Sequence, residues 1–331
     1  MLTDSFGRKF TYLRLSLTDV CNFRCQYCLP NGYQGKGKGK GKKDNFLDLN
    51  EIKNLLRAMN VLQVQKVRLT GGEPTLRNDF LDILNFISAQ ESIKTISLTT
   101  NGYSLAKNIH EYYKSGLNNI TVSLDSLFAN KFRDITQMSN FSTVLQGIEK
   151  ALEFEFDKVK INAVLLKGYN DSKEDIQAFF DYVKDKRITV RFIELMETQD
   201  NLTLHKKSFI TTNHIRDKLR KEGWTSCPRE PTSGPAIEYM HKEYIGKIGI
   251  ISPYSNIFCA NCNRVRVNSK GELYTCLFDK ENVSLREYLQ NEEQLKELLK
   301  IIKNAYSLKK ESHYLTQGII GDDKHFSTLG G

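Results

Sequence analysis

The chain has 331 residues, of which 40% are hydrophobic, and a formal net charge of +9. That length is enough for one large domain with its own core plus a smaller one. The N-terminus MLTDSFGRKF has no apolar signal segment and no apolar run approaches the ~20 residues that span a bilayer, so a soluble cytoplasmic protein with an anionic partner (a nucleic acid or a polyphosphate) is expected.

Strand and helix patterns alternate along the chain. Apolar, β-branched runs predict strands at 12–17, 66–70, 93–99, 119–124, 159–166 and 188–195. Helical periodicity falls between them, near 49–60, 78–89, 104–115, 140–154 and 172–185. Successive βα units of this kind predict a parallel sheet with right-handed crossovers, either open or closed into a complete or incomplete barrel. The Gly-Lys run within 31–45 lacks the GK[ST] ending of a phosphate cradle and reads as a lid or insertion. Lys36 to Lys43 and the Lys-rich helix near 291–310 read as solvated charge.

Six of the seven cysteines form two sets of three, Cys21-x3-Cys25-x2-Cys28 and Cys259-x2-Cys262-x13-Cys276. A structural zinc site closes its shell with four protein ligands. A cubane iron–sulfur cluster also has four metal corners, so three thiolates leave one iron open to a substrate or cofactor. Two such sets suggest two clusters; two imperfect zinc knuckles, each borrowing a His or Asp, are the alternative. Cys227 stands apart, and no role is expected for it. Clustered cysteines suit a reducing compartment better than a disulfide framework.

The unusual residues gather at strand ends. The first cysteine set follows the first strand, and GGEP (71–74) follows the second. TTNG (99–102), SLDS (123–126) and Glu194-Leu195-Met196 close the third, fourth and sixth. Parallel α/β folds build active sites on that rim. Glycines such as Gly72 let a backbone approach a ligand, and Glu73 is placed to pair with an ammonium. Asp125 reads equally well as a helix N-cap. Five basic residues, Arg14, Lys66, Arg68, Lys160 and Arg191, are expected on five strands with their charges on the interior face, because their neighbours are apolar. Converging buried cations imply a polyanion such as a triphosphate.

The motifs CNFRCQYC (21–28) and GGEP resemble the radical S-adenosylmethionine superfamily. A wider set extends the likeness nearly end to end: LRLSLTDVCNFRCQYCLP (13–30), KVRLTGGEPTLR (66–77), LTTNG (98–102), SLDSL (123–127), KVKIN (158–162), RFIELME (191–197), FCANCNRVRV (258–267), LYTCLF (273–278) and Gly330-Gly331. Together these resemble its GTP 3′,8-cyclase family, which opens molybdenum cofactor biosynthesis. Two positions depart from the pattern: Glu155 stands where glycine is usual, and GDDKHFSTLGG is unusually charged.

The resemblance implies an α/β fold, an incomplete (β/α)6-type TIM barrel over 1–222, and a smaller C-terminal α+β domain over 223–331 carrying a second cluster. It implies two [4Fe–4S] clusters, one on Cys21, Cys25 and Cys28 and one on Cys259, Cys262 and Cys276. S-adenosyl-L-methionine would meet Tyr27, Gly72, Glu73, Ser123 and Met196. GTP would meet Arg14, Arg68, Thr99 and Lys160, with Lys66 and Arg191 as further triphosphate ligands. Arg264 and Arg266 would hold the purine and serve catalysis, together with a Gly330-Gly331 tail entering the site. The implied partners are an electron donor and the cyclic pyranopterin monophosphate synthase that takes the product; no membrane and no stable nucleic acid are implied, and a homodimer is left open. A peptide-maturing two-cluster radical enzyme and a zinc-containing nucleic-acid binder are the rival readings.

Overall fold

Six parallel strands run in chain order: Tyr12–Ser16 (β1), Lys66–Thr70 (β2), Thr95–Thr100 (β3), Asn119–Ser123 (β4), Lys158–Leu165 (β5) and Ile188–Glu194 (β6). The computed structural model describes residues 1–35, 45–230, 233–255, 259, 262–278, 281–313 and 328. The helices α1 (Leu49–Val61), α2 (Phe80–Ser88), α3 (Leu105–Lys114), α4 (Ala129–Thr136), α5 (Phe141–Leu152) and α6 (Lys173–Tyr182) link these strands. Capping boxes start two of them, Asp48 with Glu51 at α1 and Ser172 with Asp175 at α6. The predicted elements match the observed ones to within a few residues. The pattern missed α4, which at eight residues is too short to show periodicity.

Beyond α7 (Leu202–Ser208) and α8 (Asn213–Lys221) the sheet continues with Thr225–Ser226 (β7), Ile237–Met240 (β8), Lys247–Ile251 (β9), Arg264–Val267 (β10), Glu272–Tyr274 (β11) and Val283–Ser284 (β12). These do not stack separately. β9 runs parallel beside β6, and β10 runs parallel beside β1, so both edges of the barrel wall are lengthened by C-terminal residues. β7 and β8 then extend one edge antiparallel, and β11 and β12 the other, giving one 12-stranded sheet.

Strand alternation sorts the side chains. Leu13, Leu15, Val67, Leu69, Ile120, Val122, Ile161 and Val190 are fully buried in the hydrophobic core. The residues between them, Arg14, Arg68, Thr121, Lys160 and Arg191, line an interior cavity.

The last described helix, α9 (Leu295–Ser307), docks through Tyr306. Its ring is fully buried, meets Phe10 edge-on with centroids 4.5 Å apart, and its hydroxyl donates to the Arg264 carbonyl at 3.0 Å. It therefore ties the C-terminal helix to β10 and to the N-terminal segment. Tyr306→Ala is expected to lower unfolding free energy by about 3–5 kcal/mol through lost burial and a cavity. Tyr306→Phe should lower it by about 1 kcal/mol, the hydroxyl's share. Chemical denaturation of both variants checks this; equal losses would mean the ring does not anchor the helix.

Candidate active site

The loop from Val20 to Leu29 carries the first cysteine set and is held by backbone. Arg24 N and Gln26 N donate to the carbonyls of Thr136 and Ile135 at the end of α4, at 3.3 and 3.0 Å. Gly72 N donates to Thr18 O at 2.7 Å and Glu73 N to Val20 O at 2.8 Å, so the GGEP turn pairs with the chain that enters the cysteine loop. A Cβ on Gly72 would lie 2.3 Å from Val20 O and 2.6 Å from Asp19 O. The glycine pair is thus required first by the protein's own backbone approach.

Cys21, Cys25, Cys28, Tyr27, Gly72, Ser123 and Met196 all border one cavity of about 150 Å3. Glu73 does not line it. Its carboxylate is fully buried and accepts from Thr75 Oγ1 (2.6 Å), Thr100 Oγ1 (2.8 Å) and Asn101 N (2.7 Å), so it braces GGEP against TTNG. Asp125 is likewise no N-cap: it accepts from the Tyr27 hydroxyl (3.0 Å) and Val164 N (2.8 Å), and burial raises its carboxyl to about 6. Burial pushes the Cys21 thiol up to about 11, and the Cys25 thiol well above its ordinary value, reinforced there by Asp125.

A second cavity of about 200 Å3 fills the barrel interior. Arg14, Lys66, Arg68, Thr99, Lys160, Arg191, Arg264 and Arg266 all line it. The five predicted interior cations occupy four strands, not five, because Lys66 and Arg68 are two apart on β2 and share its face. Register brings their charges together: Arg266 lies opposite Arg14, and Arg14 opposite Arg68. Arg68 is fixed by Nε to the Tyr12 hydroxyl (2.6 Å) and by Nη1 to Thr99 Oγ1 (2.8 Å) and Thr121 Oγ1 (3.0 Å), and Arg191 reaches the same Thr121 at 3.1 Å. Arg191 Nε and Arg266 Nη1 are buried with no hydrogen-bond partner among the described residues.

The two carboxylates that line this cavity among the described residues, Glu238 and Glu230, pair with Lys160 and Lys158, each at 2.5 Å. Even so, burial and the neighbouring Arg191 hold Lys160 down at about 7. Burial and Arg68 hold Lys66 at about 8, despite the favourable Tyr12 beside it. Burial alone would raise Tyr12, but Arg68, Arg14 and Lys66 together draw it down to about 6. Tyr12, Thr121 and Glu238 were not among the predicted site residues. Tyr12 and Thr121 share parity with Arg14 and Ser123 and were legible on that ground; Glu238 gave no signal.

The other cysteine set, Cys259, Cys262 and Cys276, borders a third, smaller cavity with Arg8, Arg264, Arg266 and Lys309. Burial opposes ionisation of Cys262, but Arg264, Lys309 and Arg266 overcome it and bring the thiol to about 6. The three cavities are contiguous. The first and second share Thr99, Asn162, Ile193 and Met196, and the second and third share Arg264, Arg266 and Leu277. Cys227, expected to be idle, also lines the second cavity. Gly330, Gly331 and residues 36–44 of the Gly-Lys loop lie outside the described residues. Among the described residues no three His, Cys, Asp or Glu side chains converge on a point suited to a single ion. In each set three thiols border a cavity instead, a donor set that fits three corners of a cubane. No described helix is long and apolar enough to cross a membrane.

A profile of the radical SAM superfamily matches residues 15–183, and one described as molybdenum cofactor synthesis C matches 188–315. The chain is 45% identical over 330 residues to a GTP 3′,8-cyclase of Yersinia pestis, covering 100% of this chain and 99% of that one. It is 44% identical to a GTP 3′,8-cyclase of Haemophilus influenzae, covering 100% and 96%. Among solved structures, Streptococcus suis SuiB bound to S-adenosylmethionine superposes with a TM-score of 0.63 at 15% identity, covering 94% of this chain and 68% of that one, a likeness of fold. At that identity over its full length, the chain belongs to the GTP 3′,8-cyclase family of the radical S-adenosylmethionine superfamily.

Proposed function

We propose that this chain is a GTP 3′,8-cyclase that uses S-adenosylmethionine to convert GTP into (8S)-3′,8-cyclo-7,8-dihydroguanosine 5′-triphosphate, the first step of molybdenum cofactor biosynthesis. The observation that carries this reading is the run of three contiguous cavities, thiol-lined at both ends and cation-lined between. The superfamily implies a [4Fe–4S] cluster and S-adenosylmethionine. Cys21, Cys25 and Cys28 would hold that cluster, and Cys259, Cys262 and Cys276 a second one. When bound, the first cluster and S-adenosylmethionine supply a one-electron cleavage that yields a 5′-deoxyadenosyl radical.

The protein's own residues bind and orient. Tyr27, Gly72, Ser123 and Met196 form the wall against S-adenosylmethionine, with Glu73 acting one layer back by bracing the turn. Arg14, Lys66, Arg68, Lys160 and Arg191 take the triphosphate, whose oxygens satisfy the idle Arg191 Nε and relieve repulsion between the guanidiniums. Thr99 sits on the wall common to the first two cavities, so it fixes the ribose beside the cofactor. Arg264 and Arg266 stand between the triphosphate cavity and the second thiols, where they hold the purine and the charge developed on it. The Gly330-Gly331 tail would complete this end. Residues 227–230 and 233–238 line the same cavity and would help keep water away from a reactive carbon radical. An external electron donor is required, and the product is the substrate of a cyclic pyranopterin monophosphate synthase.

Anaerobic incubation with dithionite, S-adenosylmethionine and each nucleoside triphosphate tests the reading. Cyclised product is expected from GTP and not from ATP, because a site that hydrogen-bonds particular edge atoms rejects analogues lacking them. Equal turnover of both would sink the assignment, and a peptide-modifying enzyme would leave all four unchanged.

The two cysteine sets should divide the work. Cys25→Ala is expected to abolish 5′-deoxyadenosine formation. Cys262→Ala should leave cofactor cleavage partly intact while product disappears; normal product from that variant would refute a role for the second set.

Binding should also respond to pH. Without nucleotide Tyr12, Lys160 and Lys66 titrate at about 6, 7 and 8, and a bound triphosphate would raise all three by favouring their protonated forms. GTP binding should therefore take up protons and weaken as pH rises from 6 to 9. Calorimetry in buffers of different ionisation enthalpy measures this directly; proton release would contradict the cavity's role.

A further inference from the structure

The two thiol-lined cavities sit in opposite electrostatic surroundings. Among the described residues lining the first there is no Lys or Arg, and the one charged side chain is Glu194. Buried Glu73 lies behind it, beside Cys21, and buried Asp125 beside Cys25. Among the described residues, the cavity of the second set is lined by Arg8, Arg264, Arg266, Lys309 and Lys310 against a single acid, Glu311.

These cations are not equivalent. Arg8 is neutralised by Asp4 at 2.6 Å, and its remaining nitrogens donate to the carbonyls of Cys259 (3.3 Å), Glu311 (2.7 Å) and Lys310 (2.8 Å). Lys310 and Glu311 are both exposed. Arg264 and Arg266 come from β10 and face the purine end of the barrel cavity as well. Lys309 differs from all of these. It is 5% exposed, has no carboxylate partner among the described residues, and donates to the carbonyl of Thr275, the residue before Cys276. Its ammonium lies 6.0 Å from the Phe10 ring, so its surroundings are apolar on that side. A buried ammonium without a counter-charge is costly, and it is tolerated where an anion completes the site.

We propose that the second cysteine set is the higher-potential of the two redox sites, and that Lys309 is a positioning and charge-setting residue that makes it so; this rests on the reading above that both sets hold [4Fe–4S] clusters. Reduction adds one negative charge to a cluster. Buried cations lower the energy of that added charge and buried carboxylates raise it, with little screening by salt in either cavity. An electron given to the protein by a low-potential reductant therefore resides first at the second set. That set lies against the purine, where the cyclised nucleotide needs one electron to complete the reaction.

The test uses full-length Cys25→Ala and Cys262→Ala proteins, reconstituted anaerobically without nucleotide or S-adenosylmethionine. Each is titrated with dithionite while the paramagnetic reduced cluster is followed by electron paramagnetic resonance. Iron analysis comes first: Cys25→Ala protein that binds no iron would remove the two-cluster reading and this inference with it. If both variants bind iron, the cluster remaining in Cys25→Ala should be reduced at the higher potential. Adding Lys309→Met to that background should lower the ratio of reduced to oxidised cluster at least tenfold at fixed potential, about 59 mV for one electron. Lys309→Arg should preserve the parent value, and Lys309→Met should not move the first cluster in Cys262→Ala. A reversed or equal order of the two parent potentials overturns the proposal, and so does a second cluster indifferent to Lys309→Met. If Lys309→Met prevents iron incorporation, the order of the parents and the Lys309→Arg value still decide.

Discussion

Mutual repulsion between cations held in register is the constraint on which the site depends. Parallel pairing places Arg266 opposite Arg14 and Arg14 opposite Arg68, while Arg264 and Lys66 stand on either side of Tyr12 one pleat away. Like charges directly opposite one another destabilise a sheet, and these lie in a buried interior where screening is weak. The wall holds because its other face is a continuous apolar layer against the helices. Tyr12, Glu238 and Glu230 offset part of the charge. What remains suits a polyanion, and in the proposed reading the cost of assembling the wall would become affinity for the triphosphate.

The thiol-bearing loop at the first set is built differently. Nothing charged draws the GGEP turn to it; the two segments are interlocked by backbone hydrogen bonds whose spacing leaves no room for a Cβ at Gly72. Glu73, Thr100 and Asn101 tie GGEP to TTNG, and Tyr27 reaches across to Asp125 at the end of β4. Four strand ends are therefore joined by short polar links around one cavity. Rigid supports of this kind keep a reactive fragment near its target and away from others.

Between the two thiol sets the barrel cavity is shared property. Thr99 and Met196 belong to its first wall, Arg264 and Arg266 to its last. In the reading proposed above, a nucleotide spanning it would have its ribose near one set and its base near the other.

Much of this was legible in the sequence. Cysteine spacing, the glycine pair and the alternation of basic with apolar residues follow from local chemistry, and each is written within a few consecutive positions. Strand parity by itself put Arg14, Arg68, Lys160 and Arg191 on one face. The tertiary structure decided what depends on distant pairings. That β10 lies beside β1, bringing Arg266 to Arg14 across about 250 residues of chain, has no local signature, because a parallel neighbour is chosen by the packing of the whole barrel. The same holds for Glu238 on Lys160 and for Lys309 beneath Cys276: an isolated charge reads as surface until folding buries it. Glu73 shows the converse: its motif is local, but the direction of its carboxylate is fixed by hydroxyls and an amide that only the folded sheet brings within reach.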